Sequence, residues 1–419
     1  MDPETEILVI GGGAVGICSA HYLCELGCNV TVVEMGEICS GSSYGNAGLI
    51  VPSHSVPLAA PGVISKALKW MFNPDSPFYI KPRLNWDIIS WLWRFRGACK
   101  ARHVHQTMPL IRDLSLNSVE LFDELAGLDG IDFCYEKKGM LSVYKTQEGF
   151  EEGLEEARLL KDIGIEVEEL NGEEVHGFEA SVRPDVTGGV FYPQDAHLVP
   201  DRFVGELARH IEGKGVTILP STEALGFEAS DGQIERVHTT RGTFKVEQVV
   251  LASGSWAPGI ARELQIKLPI QPAKGYSVTF ERPSDGCPGR PVVLAESKVA
   301  TTPMGDCLRF AGTLEIAGLD LSINQRRVKA ILNAVPRYLT GVDPNELELL
   351  EIWRGLRPCT PDGLPFLGRA QRYKNLILAA GHAMIGISVS PVTGKLVAQI
   401  ATGAEPSFDI SAMRVERFN

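Results

Sequence analysis

Short apolar runs that stop at a glycine recur along the chain, as expected of strands in a buried parallel sheet. The run from Glu6 to Ile10 stops at Gly11, and the β-branched run from Asn29 to Val33 follows a segment whose apolar residues recur at helical spacing. That segment starts at Ala14 and stops at Gly27, a residue type common at helix C-termini. The pattern predicts a β-α-β unit with a right-handed parallel crossover.

Similar signals return further along the chain. An amphipathic segment followed by an apolar run over 200–219 predicts a helix and a strand, and alternating residues over 227–254 predict a meander that ends on Gly254. A last apolar run over 375–381 also stops on glycine and precedes a predicted helix over 391–400. Because three such runs deliver a glycine at their carboxyl ends, we expect their strands in one sheet.

The segments between these elements differ in character. Residues 53–195 and 266–353 are richer in aromatics, prolines and alternating patterns such as GYSVTFE. We therefore expect two interwoven domains with approximate boundaries. A nucleotide-binding domain would comprise residues 1–52, 196–265 and 354–419, and a substrate-binding domain would comprise the two segments between them.

The composition narrows the class of protein. The 419 residues are 44% apolar and 22% charged, as in ordinary globular proteins, and 40 Lys plus Arg against 52 Asp plus Glu give a net charge of −12. An acidic chain disfavours nucleic acid as a partner. The acidic start, the lack of an apolar stretch of roughly 18 residues and nine scattered cysteines without a C-x-x-C pair predict a cytoplasmic protein that does not span a membrane.

A glycine-rich loop joins the first predicted strand to the first predicted helix. Gly11, Gly13 and Gly16 form the pattern G-x-G-x-x-G, with Ala14 and Val15 inside it. Such glycines permit a tight turn, a close approach of the backbone to a pyrophosphate and close helix–strand packing, while the helix N-terminus attracts negative charge. The loop predicts a dinucleotide site.

Glu34 ends the second predicted strand, 18 positions after Gly16. A carboxylate there would accept hydrogen bonds from ribose hydroxyls and disfavours the 2′-phosphate of NADP. The loop itself leaves NAD and FAD open, because both present an ADP half to it.

Other motifs of the chain are SGSSYGNAGLIVP (40–52), FNPDSPFYIKPRLNW (72–86), MGDCLRFAGTLEIAG (304–318), WRGLRPCTPDGLPFLG (353–368) and AAGHAMIGISVSPVTG (379–394). With these motifs, nearly the whole chain resembles the D-amino acid oxidase superfamily of FAD enzymes, and within it the bacterial D-amino acid dehydrogenase small-subunit type. The resemblance implies an α/β FAD-binding Rossmann-like domain of the glutathione-reductase type, interwoven with an α+β substrate domain built on a mostly antiparallel sheet.

The resemblance also implies FAD as the cofactor. Small polar residues after the second strand would reach the isoalloxazine ring from one side, and backbone donors near the chain's last glycine-ended strand would approach its pyrimidine edge. Besides the glycine-rich loop and Glu34, the residues assigned to the cofactor are Ser42, Ser43, Asn46, Ala47, Gly48, Gly254, Gly381, Met384, Ile385 and Gly386.

A substrate carboxylate needs a cation that can hold its plane. Arg357 matches the arginine of the GLRP motif that binds the substrate carboxylate in related enzymes, and Arg354 is a competing candidate. Tyr276 would either donate to the same carboxylate or be a half-buried strand aromatic. His54 would border the site.

The function that the resemblance implies is the oxidation of a D-amino acid to a 2-oxo acid and ammonia. Hydride passes from the α-carbon to flavin N5, no protein general base is required, and the electrons go to an acceptor other than oxygen, such as a quinone or another respiratory-chain component. Two alternatives stay open. One is a dehydrogenase or oxidase of cis-4-hydroxy-D-proline, proline, glycine or sarcosine, and the other is a flavin-carrying subunit without activity of its own.

The spacing of histidines and cysteines predicts no metal site. The segment 86–96 contains Trp86, Trp91 and Trp93 beside basic residues. That mixture suits peripheral contact with the inner face of the cell membrane, and it also suits a helix buried in the substrate domain, which is the interpretation we favour.

Overall fold

The computed structural model describes residues 4–71, 76–81, 83 and 85–418. Part of the motif over 72–86 and the outermost residues of the two outer domain segments therefore lie outside the described residues. The described helices are α1 (Ala14–Glu25), α2 (Val63–Met71), α3 (Trp86–Ala98), α4 (Ala101–Ala126), α5 (Gln147–Asp162), α6 (Gly172–Phe178), α7 (Pro200–Gly213), α8 (Ala257–Glu263), α9 (Gln325–Tyr338) and α10 (Ser390–Thr402).

The described strands are β1 (Glu4–Ile10), β2 (Val30–Val33), β3 (Leu49–Ile50), β4 (Phe78–Ile80), β5 (Met140–Tyr144), β6 (Glu168–Asn171), β7 (Gly188–Tyr192), β8 (Ala196–His197), β9 (Thr217–Leu219), β10 (Ala224–Ser230), β11 (Gln233–Thr239), β12 (Gly242–Leu251), β13 (Gln271–Glu281), β14 (Val292–Leu294), β15 (Val299–Met304), β16 (Cys307–Ile316), β17 (Leu349–Cys359), β18 (Phe366–Arg369) and β19 (Leu376–Ala380). Most of them form two large sheets.

The first sheet has the order β10-β11-β12-β1-β2-β9, and β19 joins it beside β12. The predicted β-α-β unit is confirmed as β1, α1 and β2, and α1 gives way to Gly27 with a φ of +79°. The prediction that three glycine-ended strands share one sheet is also confirmed, because β12 pairs in parallel with both β1 and β19. Their carboxyl ends therefore meet at one edge.

The second sheet has the order β17-β13-β16-β15-β14-β5-β7-β6, with β4 beside β16. Its pairs are antiparallel except for β14 with β5 and β16 with β4. One face packs on α9 through Val278 and Phe280. The other carries Met140, Tyr144 and Tyr192 and packs on the segments that lead away from β3.

The fold class predicted for the chain is confirmed by this combination of a Rossmann-like sheet and a mostly antiparallel one. The first sheet draws its strands from 4–33, 217–251 and 366–380, and the second from 78–192 and 271–359. The domain boundaries themselves stay predictions, and the one between 353 and 354 falls inside β17. Within the described residues, no helix is long and apolar enough to cross a bilayer.

Candidate active site

The glycine-rich loop lies where β1 meets the start of α1. Gly11 has a φ of +121°, and a Cβ atom there would lie 2.6 Å from the carbonyl oxygen of Ala252. A Cβ atom on Gly16 would lie 1.8 Å from the carbonyl oxygen of Gly11. The N-cap residue Gly13 offers no side chain to the helix N-terminus, so the cap residue does not compete with a ligand for the first-turn amides, although that of Ala14 donates to Ser43.

Glu34 stands beside this loop at the end of β2. One carboxylate oxygen accepts the amide of Gly12 (2.7 Å) and the other accepts the amide of Gly36 (3.0 Å). Each oxygen keeps a lone pair for a further donor such as a ribose hydroxyl. Glycine backbone, helix N-terminus and acid together fit the ADP half of a dinucleotide.

A cavity of about 1620 Å³ extends from this loop across the face of the second sheet. It is larger than the roughly 300–1,000 Å³ of most small-molecule sites, so it has room for FAD and a second ligand. Of the residues predicted to contact cofactor or substrate, those that line it are Gly11, Gly13, Ala14, Val15, Glu34, Ser42, Ser43, Asn46, Ala47, His54, Gly254, Tyr276, Arg357, Met384, Ile385 and Gly386.

Three predicted cofactor residues stand behind the cavity wall instead. Gly16 packs on the loop, a Cβ atom on Gly48 would lie 2.2 Å from the carbonyl oxygen of Leu198, and one on Gly381 would lie 2.6 Å from the side chain of Thr360. Each glycine permits a close approach between chain segments. Gly16 therefore has the close-packing role that was predicted for it, and contact of Gly48 and Gly381 with FAD stays a prediction.

The segment between Ser42 and Asn46 connects the two sheets. The Ser43 hydroxyl accepts the amide of Ala14 (3.1 Å), and the Ser42 hydroxyl donates to the carbonyl of Leu356 in β17. Arg309 of β16 donates to the carbonyls of Tyr44 (3.0 Å) and Asn46 (2.9 Å). Arg309 was not predicted, because the sequence does not indicate that β16 lies beneath this segment.

Arg357 lies on the cavity wall in β17. Its Nη1 donates to the carbonyl of Thr313 (2.6 Å), and the guanidinium lies over Gly275, where a Cβ atom would be 2.4 Å from Nη1. Desolvation lowers the pKa of Arg357, but a guanidinium stays charged in proteins. Among the residues described, no carboxylate lies within ion-pair distance of it.

A β-bulge in β16 sets the direction of the Thr313 carbonyl. The register between β13 and β16 shifts there by one residue, so that Lys274 faces Glu315 while Tyr276 faces Gly312. Thr313 has a φ of +68°, which is rare for a β-branched residue. The bulge turns its carbonyl toward Arg357, and nothing in the sequence pattern indicated it.

Tyr276 requires a correction. Although Tyr276 borders the cavity, it pairs with Arg354 across β13 and β17, whereas Arg357 pairs with Ala273, so the two side chains project from opposite faces of the sheet. Tyr276 is 1% exposed, and its hydroxyl donates to Glu315 (2.9 Å). Its predicted contact with the substrate carboxylate is therefore withdrawn. Arg354 is also engaged elsewhere, because its Nε donates to the carbonyl of Leu321 (2.9 Å).

The turn after β3 is hydrogen-bonded to a fully buried acid, Asp195. Ser53 donates through its amide (3.1 Å) and its hydroxyl (2.5 Å) to Asp195, and burial raises the pKa of that carboxyl to about 7. His54 follows Ser53 and faces the cavity. Desolvation and then the charge of Lys298 lower the pKa of His54 to about 4, so its imidazole is neutral at pH 7.

Trp353 is a wall residue that the sequence analysis did not select. Cβ atoms built on Gly45 and Gly355 would lie 2.1 Å and 1.9 Å from its indole ring. The glycines therefore make room for the ring between the segment after β2 and the strand that carries Arg357. The motif WRGLRP contained a usable signal, because Gly355 follows Trp353 by two residues and so shares its face of a strand, where it leaves room for the indole ring.

The tryptophan-rich segment divides into two faces. Trp91 is 2% exposed and its indole donates to the carbonyl of Cys359 (2.9 Å). Trp86 is 82% exposed and Trp93 is 74% exposed. The prediction that the whole segment is buried is therefore wrong, because only one face of α3 is buried.

The described residues do contain one group of possible metal ligands, which the sequence analysis did not expect. His21, Glu25 and His210 offer ligand atoms within 4.8 Å of one another. Lys214 already pairs with Glu25, and none of the three lines the cavity.

Known proteins resemble this chain over nearly its whole length. The family model described as FAD dependent oxidoreductase matches residues 6–400. The D-amino acid dehydrogenase of Granulibacter bethesdensis is 31% identical over 422 residues, and that of Bradyrhizobium diazoefficiens is 33% identical over 423, each alignment covering 99% of both chains.

Two solved structures show the same fold. Glycine oxidase from Geobacillus kaustophilus matches with a TM-score of 0.81 at 23% identity over 100% of both chains. L-proline dehydrogenase from P. horikoshii matches with a TM-score of 0.77 at 21% identity over 100% of this chain and 98% of that one. The predicted resemblance is confirmed, and the chain belongs to the family of FAD dependent oxidoreductases.

Proposed function

We propose that the protein oxidises a D-amino acid to a 2-oxo acid and ammonia, using FAD and passing the electrons to an acceptor other than oxygen. Similarity over 99% of the chain to D-amino acid dehydrogenases supports the substrate class. The observation that carries the proposal is Arg357, a cation on the cavity wall that has no acidic partner among the described residues.

Arg357 has the chemistry that a substrate carboxylate requires. A partly desolvated cation is costly unless an anion compensates it, and a guanidinium can hold both carboxylate oxygens. The Thr313 carbonyl occupies one of its N–H groups and fixes the guanidinium over Gly275. A carboxylate held there fixes the position of the α-carbon above the second sheet.

The remaining wall residues orient the substrate and exclude water. Trp353 closes one side, and the neutral His54 closes another without adding a charge near the amine. Bound FAD would supply the hydride acceptor, and the imine left by loss of hydride and a proton hydrolyses to the 2-oxo acid and ammonia. The protein's contribution is orientation and carboxylate neutralisation.

The first test is anaerobic mixing of the purified flavoprotein with D- and L-amino acids, cis- and trans-hydroxyproline isomers, glycine and sarcosine. We expect rapid bleaching of the flavin absorbance by D-isomers. Reduction by none of them would favour the flavin-carrying subunit, and fastest reduction by a hydroxyproline isomer, proline, glycine or sarcosine would favour that alternative. The structural likeness to a glycine oxidase and an L-proline dehydrogenase is the reason to include these amines.

Arg357→Lys tests the carboxylate clamp. We expect the KM for the best D-amino acid to rise roughly 100-fold, about 3 kcal/mol, because an ammonium cannot bind both oxygens. The matched control is Arg354→Lys, three residues away on the opposite face of β17, which should change KM less than about threefold. Equal effects of the two variants would contradict the assignment of Arg357.

We also propose that the protein works in the cytoplasm and touches the membrane surface through α3. Trp86, Ile89 and Trp93 are exposed on this helix, and Arg96 lies 6.0 Å from the Trp93 ring centroid. All nine cysteines are free, as is usual for reduced compartments. Aromatic and basic side chains together suit an anionic lipid surface and an electron acceptor dissolved in it.

Flotation with vesicles that contain anionic phosphatidylserine tests this contact. Wild-type protein should float with them, and the double variant Trp86→Ser, Trp93→Ser should not. Equal flotation of both proteins, or none of either, would remove the proposed contact without affecting the proposed oxidation.

A further inference from the structure

We propose that the part of the cavity beyond Arg357 is a side-chain chamber that selects D-amino acids with long, uncharged side chains. This inference rests on the proposed function, because Arg357 must hold the substrate carboxylate before the chamber can receive the side chain. Its basis is the face of the second sheet that borders the cavity.

The floor of the chamber consists of small residues from adjacent strands. Ala311 pairs with Ala300 across β16 and β15, Ala300 pairs with Val293 across β15 and β14, and Val293 pairs with Ser142 across β14 and β5. Directly paired residues share a face of a sheet, and all four line the cavity. Ala300 and Val293 are only half-buried, although they belong to interior strands, because the cavity lies above them.

The length of this floor exceeds what a small amino acid needs. The guanidinium of Arg357 lies over Gly275 in β13, and three strand spacings separate β13 from β14. At roughly 4.8 Å per spacing the floor reaches Val293 in β14 about 14 Å across the sheet from the carboxylate site and continues to Ser142 in β5. Glycine or alanine would leave most of that length filled with water, whereas a long side chain would bury apolar surface along it.

The far end of the chamber is aromatic. Met140 and Tyr192 pair across β5 and β7, Tyr144 shares their face, and all three line the cavity. Within the described part of the chain neither tyrosine hydroxyl has a hydrogen-bond partner. The wall can therefore stack on an aromatic or thioether side chain and donate to a neutral polar group at its end.

The mouth of the chamber is acidic. Its lining includes two lysines, Lys66 and Lys298, of which Lys66 pairs with Glu152 (2.8 Å). The acids that line the same part of the cavity are Glu148, Glu152, Glu155, Glu156 and Glu296. The excess of negative charge opposes a carboxylate side chain, so D-aspartate and D-glutamate should be poor substrates.

Two substrate pairs test the chamber. We expect kcat/KM with an artificial acceptor to be at least tenfold higher for D-methionine than for D-alanine, and at least tenfold higher for D-glutamine than for D-glutamate, its charged equivalent of equal length. Independent of turnover, the bound flavin's absorbance change should report a Kd at least tenfold lower for 3-phenylpropionate than for propionate.

Ala300→Leu should fill the middle of the floor and lower the D-methionine to D-alanine ratio at least tenfold. The matched control is Ala404→Leu, on the exposed surface after α10, which should leave the ratio as in the wild type. If Ala300→Leu does not fold, Val293→Ala, which deepens the chamber at its floor, should move the preference toward the bulkier D-tryptophan.

The chamber is overturned if D-alanine is used as well as D-methionine, or if a folded, flavin-containing Ala300→Leu protein keeps the wild-type ratio. Failure of the proposed function has a different signature. In that case no amino acid reduces the flavin, and neither propionate nor 3-phenylpropionate changes the flavin absorbance.

Discussion

The cofactor end and the substrate end of the cavity are built in different ways. At the cofactor end, Gly11, Gly13 and Gly16 and the acid Glu34 come from one continuous β-α-β unit. At the substrate end, Gly275, Thr313 and Arg357 come from three strands that meet only in the second sheet. A local motif therefore makes the first site, and strand register makes the second.

The two ends also differ in how they accommodate unusual backbone angles and buried charge. The cofactor end uses glycines in conformations that suit glycine, such as Gly11 with a φ of +121°. The substrate end holds a threonine at a φ of +68° and a cation without an acid among the described residues. Such strain and uncompensated charge are characteristic of binding sites, where the ligand compensates them.

Gly16→Ala should have the largest effect, because it should abolish FAD binding at the cofactor end and destabilise the fold. The added Cβ atom would lie 1.8 Å from the carbonyl oxygen of Gly11, so α1 must move away from β1. We expect purified protein without flavin and a free energy of unfolding lower by at least about 3 kcal/mol. The helical glycine Gly205 has nothing within 4 Å of its Cβ position, so Gly205→Ala should retain flavin and stability. Retained flavin in Gly16→Ala would refute the packing argument.

Gly275→Ala should damage the substrate end alone. Its Cβ atom would lie 2.4 Å from Nη1 of Arg357, so the guanidinium must leave its position. We expect KM to rise roughly 100-fold with normal flavin content, equivalent to about 3 kcal/mol of lost binding. Gly226→Ala in β10 is the control, because nothing lies within 4 Å of that position. An unchanged KM would show that the position of the Arg357 guanidinium does not matter for substrate binding.

Asp195→Asn should make stability less dependent on pH. Burial raises the pKa of this carboxyl to about 7 in the folded protein, against roughly 4 in the unfolded chain, so the folded state holds the extra proton between these values. The wild-type free energy of unfolding should therefore fall as pH rises from 4 to 7, by about 2 kcal/mol between pH 5 and 7. Urea unfolding at pH 5 and pH 7 measures this change in the free energy of unfolding. Parallel pH profiles for the two proteins would contradict the buried protonated acid.

Thr313→Gly should have the smallest effect, because glycine removes the strain at φ +68° while losing a buried side chain. We expect the free energy of unfolding to change by less than about 1 kcal/mol. Thr302→Gly is the control in β15, where a buried threonine lacks that strain, and it should cost about 2 kcal/mol. Equal losses would show that Thr313 is not strained.

The sequence predicted the parts of the molecule whose signals are local. The loop at Gly11 to Gly16 and the unit β1-α1-β2 lie within one stretch of chain, and both follow from periodicity and glycine positions. The family motif selected Arg357 over Arg354, and the sheet pairing puts the two on opposite faces. Tyr276 was placed wrongly, because alternation along a strand says that faces differ but not which face meets the cavity.

The residues that the sequence did not select depend on distant partners. Arg309 supports the Ser42–Asn46 segment from β16, and Thr313 turns its carbonyl through a bulge set by the register with β13. Tyr144 and Tyr192 reach the chamber because β5 and β7 join the sheet beside β14. None of these relations has a signature within a short window of sequence.

Residue types at fixed local spacing were enough to predict the dinucleotide loop, the first β-α-β unit and the family. The residues that share the cavity with Arg357, the face of β13 that borders it and the extent of the floor became known only from the folded chain. Hydrogen-bond register between strands distant in the chain sets the direction of every side chain on a sheet, and no short window of sequence contains that register.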